Sequence, residues 1–563
     1  MHPGGQITSA VGYAGAMRTL ALIALAACGG GGGGGGDAGD GAVTSPIAGA
    51  RIFFTDLTSG PNSGGEGGNG AYVTIYGNGF GSAQSSSTVS VGGGTVASYP
   101  LWSETKITVQ LGAAAATGDV VVHVAGKADS NAVAFTVRAG NVFFVSPAGD
   151  DNGDGSFAHP WATIPMAKNT IAAGDIAYLG AHAGDSLVQD TLDASSSYNC
   201  ALGMSANDGT NSGTADLPKA LVGYPGATAT IGAETGLERG ILTPAITGTF
   251  DFWVIAGLTL RGTQEAIDLE GTPNGWRIIG NDISCPNGFG LTGCVTGGPT
   301  NLAFYGNDVH DAAANVTSIS KYYHAIYFGS SHLDLGWNQV RNGLTCRGIQ
   351  FHDTGGPNEL DVHVHDNVIH HTVCDGINFS TMDPSQGVVE AYNNVIYSVG
   401  TGPDPVEASS DYAGIYVYQA TDNDGSIGSG QVDLYNNTFY DCGSMTSDSS
   451  ASAIHIDTSA APALTVRLRN NLMLAKTSDE HYVVGDGSGS NNLIFAGTGS
   501  AGGATATVMA DPLLVAPATA DFHLGSGSPA IDTGVDTGLT DDLDGNARPL
   551  GAAFDIGAYE KAP

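Results

Sequence analysis

Basic residues are scarce. The 563-residue chain carries 18 Lys and Arg against 54 Asp and Glu, a formal charge of −36, so a nucleic-acid backbone is repelled rather than steered in. Charged residues are only 13% of the chain while glycine contributes 86, which favours turns and strands over helices. Long apolar runs are missing: LALIALAA at residues 20–27 is too short to span a bilayer. The length exceeds one ordinary core, which leaves several domains or one elongated solenoid. The acidity serves either solubility in an exported, salt-exposed protein or cation binding.

At the N-terminus Met17, Arg18 and the apolar run lead to Cys28 and the tract Gly29 to Gly36. LAAC followed by glycines resembles the signal and lipid-attachment box of bacterial lipoproteins. The resemblance implies a signal peptide over 1–27, acylation of Cys28, a Gly-rich linker over 28–49 and a chain lipid-anchored to an outer membrane, at the cell surface or beyond. The other cysteines are Cys200, Cys285, Cys294, Cys346, Cys374 and Cys442. An even number in an exported chain permits disulfides, and the spacings match no zinc ribbon. Cys346 and Cys374 hold equivalent places in successive repeats, where they either bridge or stack.

From 50 to 138, short alternating runs such as AYVTIYGNGFG, TKITVQL and DVVVHVAG, broken by Gly, Ser and Asn, predict a small β-sandwich. The GNGFG turn followed by KITVQL and GDVVVHV resembles the immunoglobulin-like TIG domain, which implies a spacer or ancillary binding module. Asp150, Asn152, Asp154 and Gly155 begin like a calcium loop, but Trp161 stands where its final Glu belongs, so a polar turn is expected.

Beyond residue 250 a repeat emerges. IAGLTL, IIGNDI, FYGNDV, LGWNQV, VHDNVI, YNNVIY, YNNTFY and RNNLML align Gly257 with Asn281, Asn307, Asn338, Asn367, Asn394, Asn437 and Asn471. Most spacings fall between 24 and 31 residues, room for three short strands per coil of a parallel β-helix. In-register asparagines suit a hydrogen-bonded turn ladder. The pattern is similar to the pectin-lyase-like superfamily of right-handed parallel β-helices, over residues 141 to 510. DPLLVAP, GSPAIDTG and GNARPLGAAFDIGAYE resemble that family's C-terminal segment, implying a cap over 511–563.

In that family the strand after the loop following the ladder lines the substrate groove. Here it is EAIDLEG, TGCVTGG, HAIYFGS, RGIQFHD, DGINFST, AGIYVYQ and SAIHIDT. Position three, Ile267, Cys294, Ile326, Ile349, Ile377, Ile415 and Ile454, faces inward. Position four faces out with Tyr327, Gln350, Asn378, Tyr416 and His455, as does position six with His352 and Tyr418. Position one brings His324, Arg347 and Asp375 together; the small Ala325, Gly348 and Gly376 that follow predict a turn exposing them. The loops 311–323 and 398–412, the latter with Asp404, Glu407 and Asp411, are expected to form groove walls. His363, His365, His370 and His371 are either solvated or a metal site.

A groove lined by tyrosines and polar groups points to a polysaccharide ligand and a monomeric enzyme. On a uronate polymer, β-elimination needs a cation for the carboxylate, a base and an acid. Arg347 suits the first, His324 or Lys321 the second and Tyr327 the third, with Gln350, His352, Asn378, Tyr416, Tyr418 and His455 binding substrate. Calcium on Asp375 is an alternative bridge to an acidic substrate. The aspartate-plus-lysine set of one pectate-lyase group, the Asn, Glu-x-Glu, Lys, Arg set of the alginate group and the epimerase Asp-Pro-His-Asp motif are not found. A glycosidase pairing Asp375 with Glu407 or Asp404, and a non-catalytic carbohydrate-binding lipoprotein, stand as the other readings.

Overall fold

The computed structural model describes residues 49–205, 211–244, 250–288, 293–352, 360–403, 405, 411–418, 428–445 and 447–562. Cys28, the leader, and Asp404 and Glu407 of the wall loop lie outside them. No helix of the described residues is long and apolar enough to cross a membrane.

The N-terminal unit is a β-sandwich. One sheet pairs Arg51–Thr55, Tyr72–Asn78, Lys106–Gln110 and Ser98–Trp102; the other joins Ser59–Gly60, Val133–Val137, Gly118–His123, Thr88–Val91 and Gly94–Thr95. The rest is a right-handed parallel β-helix. Among the described residues its three parallel sheets have 12, 11 and 10 strands. One coil shows the unit: Leu333–Gly336 in the first sheet, Gln339–Arg341 in the second, Arg347–Phe351 in the third. Leu333, Leu335, Val340, Ile349 and Phe351 point inward and are fully buried or nearly so. A short helix, Ile164–Thr170, precedes the first full coil, capped by the Thr163 hydroxyl accepting from the Met166 N–H. Its Lys168 is wholly buried and satisfied by Asp193 at 2.7 Å and the Gly203 carbonyl at 2.7 Å.

The turn from first to second sheet carries the expected ladder. Asn338 Nδ2 donates to Phe304 O at 2.8 Å and to Asn367 Oδ1 at 2.9 Å, and its backbone N–H donates to the same Oδ1 at 2.9 Å. The pattern runs from Asn281 to Asn492, one coil further than the repeat predicts. Gly257 is not in it. Strand pairing sets Ala256 beside Ile279, so Leu258 holds the ladder position and Gly257 the corner before it.

That corner residue is left-handed throughout, from Gly257 (φ 66°) and Gly280 (φ 63°) to Asn491 (φ 57°). Its identity follows what docks on it. A Cβ on Gly280 would lie 2.1 Å from the Tyr76 hydroxyl, and one on Gly306 2.6 Å from the Phe54 ring, so glycine lets the β-sandwich sit close. Phe53 stacks on Trp337 at 5.7 Å, and Arg277 donates to Thr55 O at 2.8 Å. The sandwich is therefore seated on the first sheet rather than held off as a spacer. Further along, corner asparagines hold the C-terminal segment: Asn393, Asn436 and Asn470 donate through Nδ2 to Asp541 O, Asp555 O and Val535 O. Phe522 packs on Tyr397 and Tyr440 of the second sheet. Residues 521–560 thus lie along the flank of several coils and reach the last of them, where Asn491 donates to Thr533 O.

Candidate functional site

The third sheet presents the polar columns. Its strands begin with an irregularity that explains which side chains face out. A Cβ on Gly376 would meet Gly414 O at 2.6 Å and Ile396 Cγ2 at 3.0 Å, which are interior atoms. Positions two and three both turn inward, so position one joins position four on the outer face. The contacts agree: Asn378 Nδ2 donates to Asp375 Oδ2 at 3.1 Å, and the His324 and Tyr327 rings are 5.2 Å apart. Pairing places His324 beside Arg347, and Tyr327, Gln350, Asn378, Tyr416 and His455 in one row. Cys294 stands at position two rather than three, still buried. Val295 pairs with Ile267 and Ile326, and Thr296 takes position four.

Depth separates the candidates into two layers. Asp375 has no exposed surface; His324, Asn378, Gln350 and Tyr416 are buried beside it. Lys321, Tyr327, Arg347, His352, Tyr418 and His455 are half-buried and line the groove. His324, expected as a base, is buried in a small pocket beside Ala312, Ala313 and Tyr323 of the first wall loop. The half-buried His352 has its Nδ1 3.1 Å from Tyr327 Oη, a pair formed by position six of one coil and position four of the coil before.

Arg347 is held from two sides, with Nε donating to Asp375 Oδ2 at 3.1 Å and Nη1 to Lys321 O at 3.1 Å. Asp375 Oδ1 accepts from the Ala413 N–H at 3.1 Å. Burial pushes this carboxyl up to about 7, with Asp411 adding to the rise and Arg347 opposing it. Both Asp375 oxygens are occupied and sealed from solvent, so the residues do not fit a calcium ion there. Asp411, noticed in the sequence only as a wall residue, stands 3.5 Å from His455 Nδ1, and His455 stacks on Tyr416 at 4.5 Å. Tyr418 stacks on Tyr416 from the other side at 5.5 Å.

Sequence reasoning passed over a second charged cluster on this sheet. Arg239 donates to Asp268 at 2.7 Å and faces Glu265 at 3.6 Å; burial raises Glu265 to about 7 and Asp268 to about 6. The signal was present, since Arg239 and Glu265 share position one. The four histidines do not converge. His363 pairs with Glu390, His365 with Asp334 and Asp366, while His370 and His371 meet each other on the second sheet. Asp282, Asp308 and His310 bring ligand atoms within 4.8 Å of one another, but both aspartates are already bound by Arg261 and Arg341. Asp150 and Asp154 accept from nearby backbone N–H groups, as a polar turn does. Cys346–Cys374 and Cys285–Cys294 are disulfides; Cys200 and Cys442 are buried thiols.

The IPT/TIG domain family matches residues 55–137. No curated protein matches the chain. Among solved structures, pectate lyase Pel9A superposes with a TM-score of 0.48 at 12% identity, covering 75% of this chain and 96% of that one. A complex of XylC with xylose gives 0.45 at 9%, covering 75% and 99%, and a rhamnogalacturonan lyase 0.34 at 16%, covering 66% and 85%. Residues 55–137 are an IPT/TIG domain, seated here on the flank of a parallel β-helix.

Proposed function

We propose that this protein is a polysaccharide lyase that cleaves a uronate-containing polymer by β-elimination. The observation that carries this reading is the half-buried Tyr327–His352 pair beside Arg347 on the outer face of the third sheet. Arg347, held by Asp375 and the Lys321 carbonyl, presents its remaining N–H groups to the uronate carboxylate, with the Gln350 amide beside it. Neutralising that charge acidifies the adjacent C–H. His352 accepts the proton as the C–H bond breaks and the ring double bond forms; Tyr327 donates its hydroxyl proton to the leaving glycosidic oxygen. The Nδ1···Oη hydrogen bond then lets the imidazolium restore the phenol. The Tyr416, Tyr418 and His455 stack offers edge-lined apolar surface to neighbouring sugars. Two disulfides support an oxidising, extracytoplasmic setting, where we place the enzyme as a surface-tethered protein.

One observation favours hydrolysis as a second reading: the raised carboxyl of Asp375 stands near a second carboxylate, Asp411. The complete burial of Asp375 weighs against its touching a substrate. Incubation with a panel of uronate and neutral glycans separates the readings. Ultraviolet absorbance of an unsaturated uronate end supports elimination, new reducing ends without it support hydrolysis, and neither signal supports a binding protein.

A further inference from the structure

Directly beside the groove cation lies a covalent link between coils. Cys346 immediately precedes Arg347, Cys374 immediately precedes Asp375, and the two cysteines are joined with their Cα atoms 4.4 Å apart. We infer that the Cys346–Cys374 disulfide is a positioning clamp that holds Arg347 and Asp375 in register for the groove. This rests on the lyase reading for its effect on catalysis, though not for its effect on the ion pair.

Three features point this way. Regular strand pairing between these coils starts only at Ile349 and Ile377, two residues past Arg347 and Asp375, whereas the coil before is paired from His324 and Arg347 onward. Backbone hydrogen bonds join the two coils at the same place, from the Cys374 N–H to Cys346 O at 2.6 Å and from the Gly348 N–H to Asp375 O at 2.9 Å, and the disulfide reinforces that short stretch. It also forms the centre of a small apolar cluster with Val373, Tyr412 and Ala451, against which Ile319 and Met445 pack. Ile319 and Tyr412 come from the two lengthened loops, so the walls of the groove converge on the disulfide. Finally, among the described residues the buried Asp375 accepts hydrogen bonds of 3.1 Å from Arg347 Nε, Asn378 Nδ2 and the Ala413 N–H. A slip of an ångström between the coils would lose them and admit water to the carboxylate. Among the described residues, the charged and titratable groups around Asp375 are Arg347, Asp411 and Tyr416, with His455 behind Asp411.

The test is Cys346→Ala/Cys374→Ala in the full chain, read by carboxyl-carbon NMR of Asp375, circular dichroism and kinetics. The far-ultraviolet spectrum is expected to match wild type, because the ladder and sheets are untouched. Asp375 should titrate away from its wild-type position, as it loses Arg347, Asn378 and the Ala413 N–H and water reaches it. On a cleavable uronate polymer kcat/KM should fall about 10²-fold. In an Asp375→Asn background, removing the disulfide should change it less than about two-fold, since the Arg347–Asp375 ion pair that the clamp aligns is then already gone. An unchanged Asp375 titration overturns the inference, and so does a variant that fails to fold, which would make the bridge a folding element. A shifted titration in a protein that cleaves no glycan leaves the clamp standing and rejects the lyase reading instead.

Discussion

The two sides of a coil follow opposite rules. Where the first sheet turns into the second, one residue type performs one task in coil after coil: an asparagine bonds the carbonyl behind it and the asparagine ahead. Where the second sheet turns into the third, every coil differs. His324, Arg347 and Asp375 share a station but not a partner, and the loops reaching them vary in length. Repetition builds the stack; single-copy residues on an irregular edge carry the chemistry. Damage on one side should therefore be visible as stability and damage on the other as activity.

The largest separation is expected at the groove. His352→Ala or Tyr327→Phe should lower kcat/KM by about 10²–10⁴-fold with little change in the urea midpoint, since both side chains are half-buried on the groove face. A matching fall in the urea midpoint would break the comparison. On the opposite flank, Arg548→Met strands Glu560, its wholly buried partner at 2.7 Å. A loss of about 3–5 kcal/mol is expected in urea titration, with kcat of the folded fraction intact. Asn338→Ala removes two donated bonds and leaves the Asn307 N–H, which it receives, without an acceptor; about 2–3 kcal/mol should go, again without loss of kcat.

The smallest effect is a pH slope. Burial alone would lower His365, but its bonds to Asp334 and Asp366 win and hold it at about 9. The folded value lies above the ordinary 6.5, so this stabilisation is complete below about pH 6.5 and is lost as pH rises through about 9. It amounts to no more than about 3 kcal/mol. His365→Gln should flatten the stability profile between those limits; parallel profiles for both proteins would show that the ion pair contributes nothing.

The fold was legible because a solenoid writes its period into the sequence, and the asparagines mark it. The reading slipped where the marker is missing. Leu258 occupies a ladder position without an amide, so Gly257 was counted in its place. GCVTG follows an irregular loop, and a one-residue offset exchanged Cys294 for Val295. The outward turn of position one was also readable, from the small residue that follows it. Burial was not: whether His324 and Asp375 reach solvent depends on the path of loops with no period. Nor does periodicity say that His352 leans on Tyr327 rather than away, because that choice is made by rotamers and neighbours.

The central claim is that the Tyr327–His352 pair removes and returns the proton in an elimination. Its most direct test is the ultraviolet signal of unsaturated uronate product from wild type, His352→Ala and Tyr327→Phe on the same polymer, with equal folded protein confirmed by circular dichroism. Wild type should give a strong signal and both variants a loss of at least about 10²-fold. Undiminished product from His352→Ala, or cleavage by wild type with no ultraviolet signal, would contradict it.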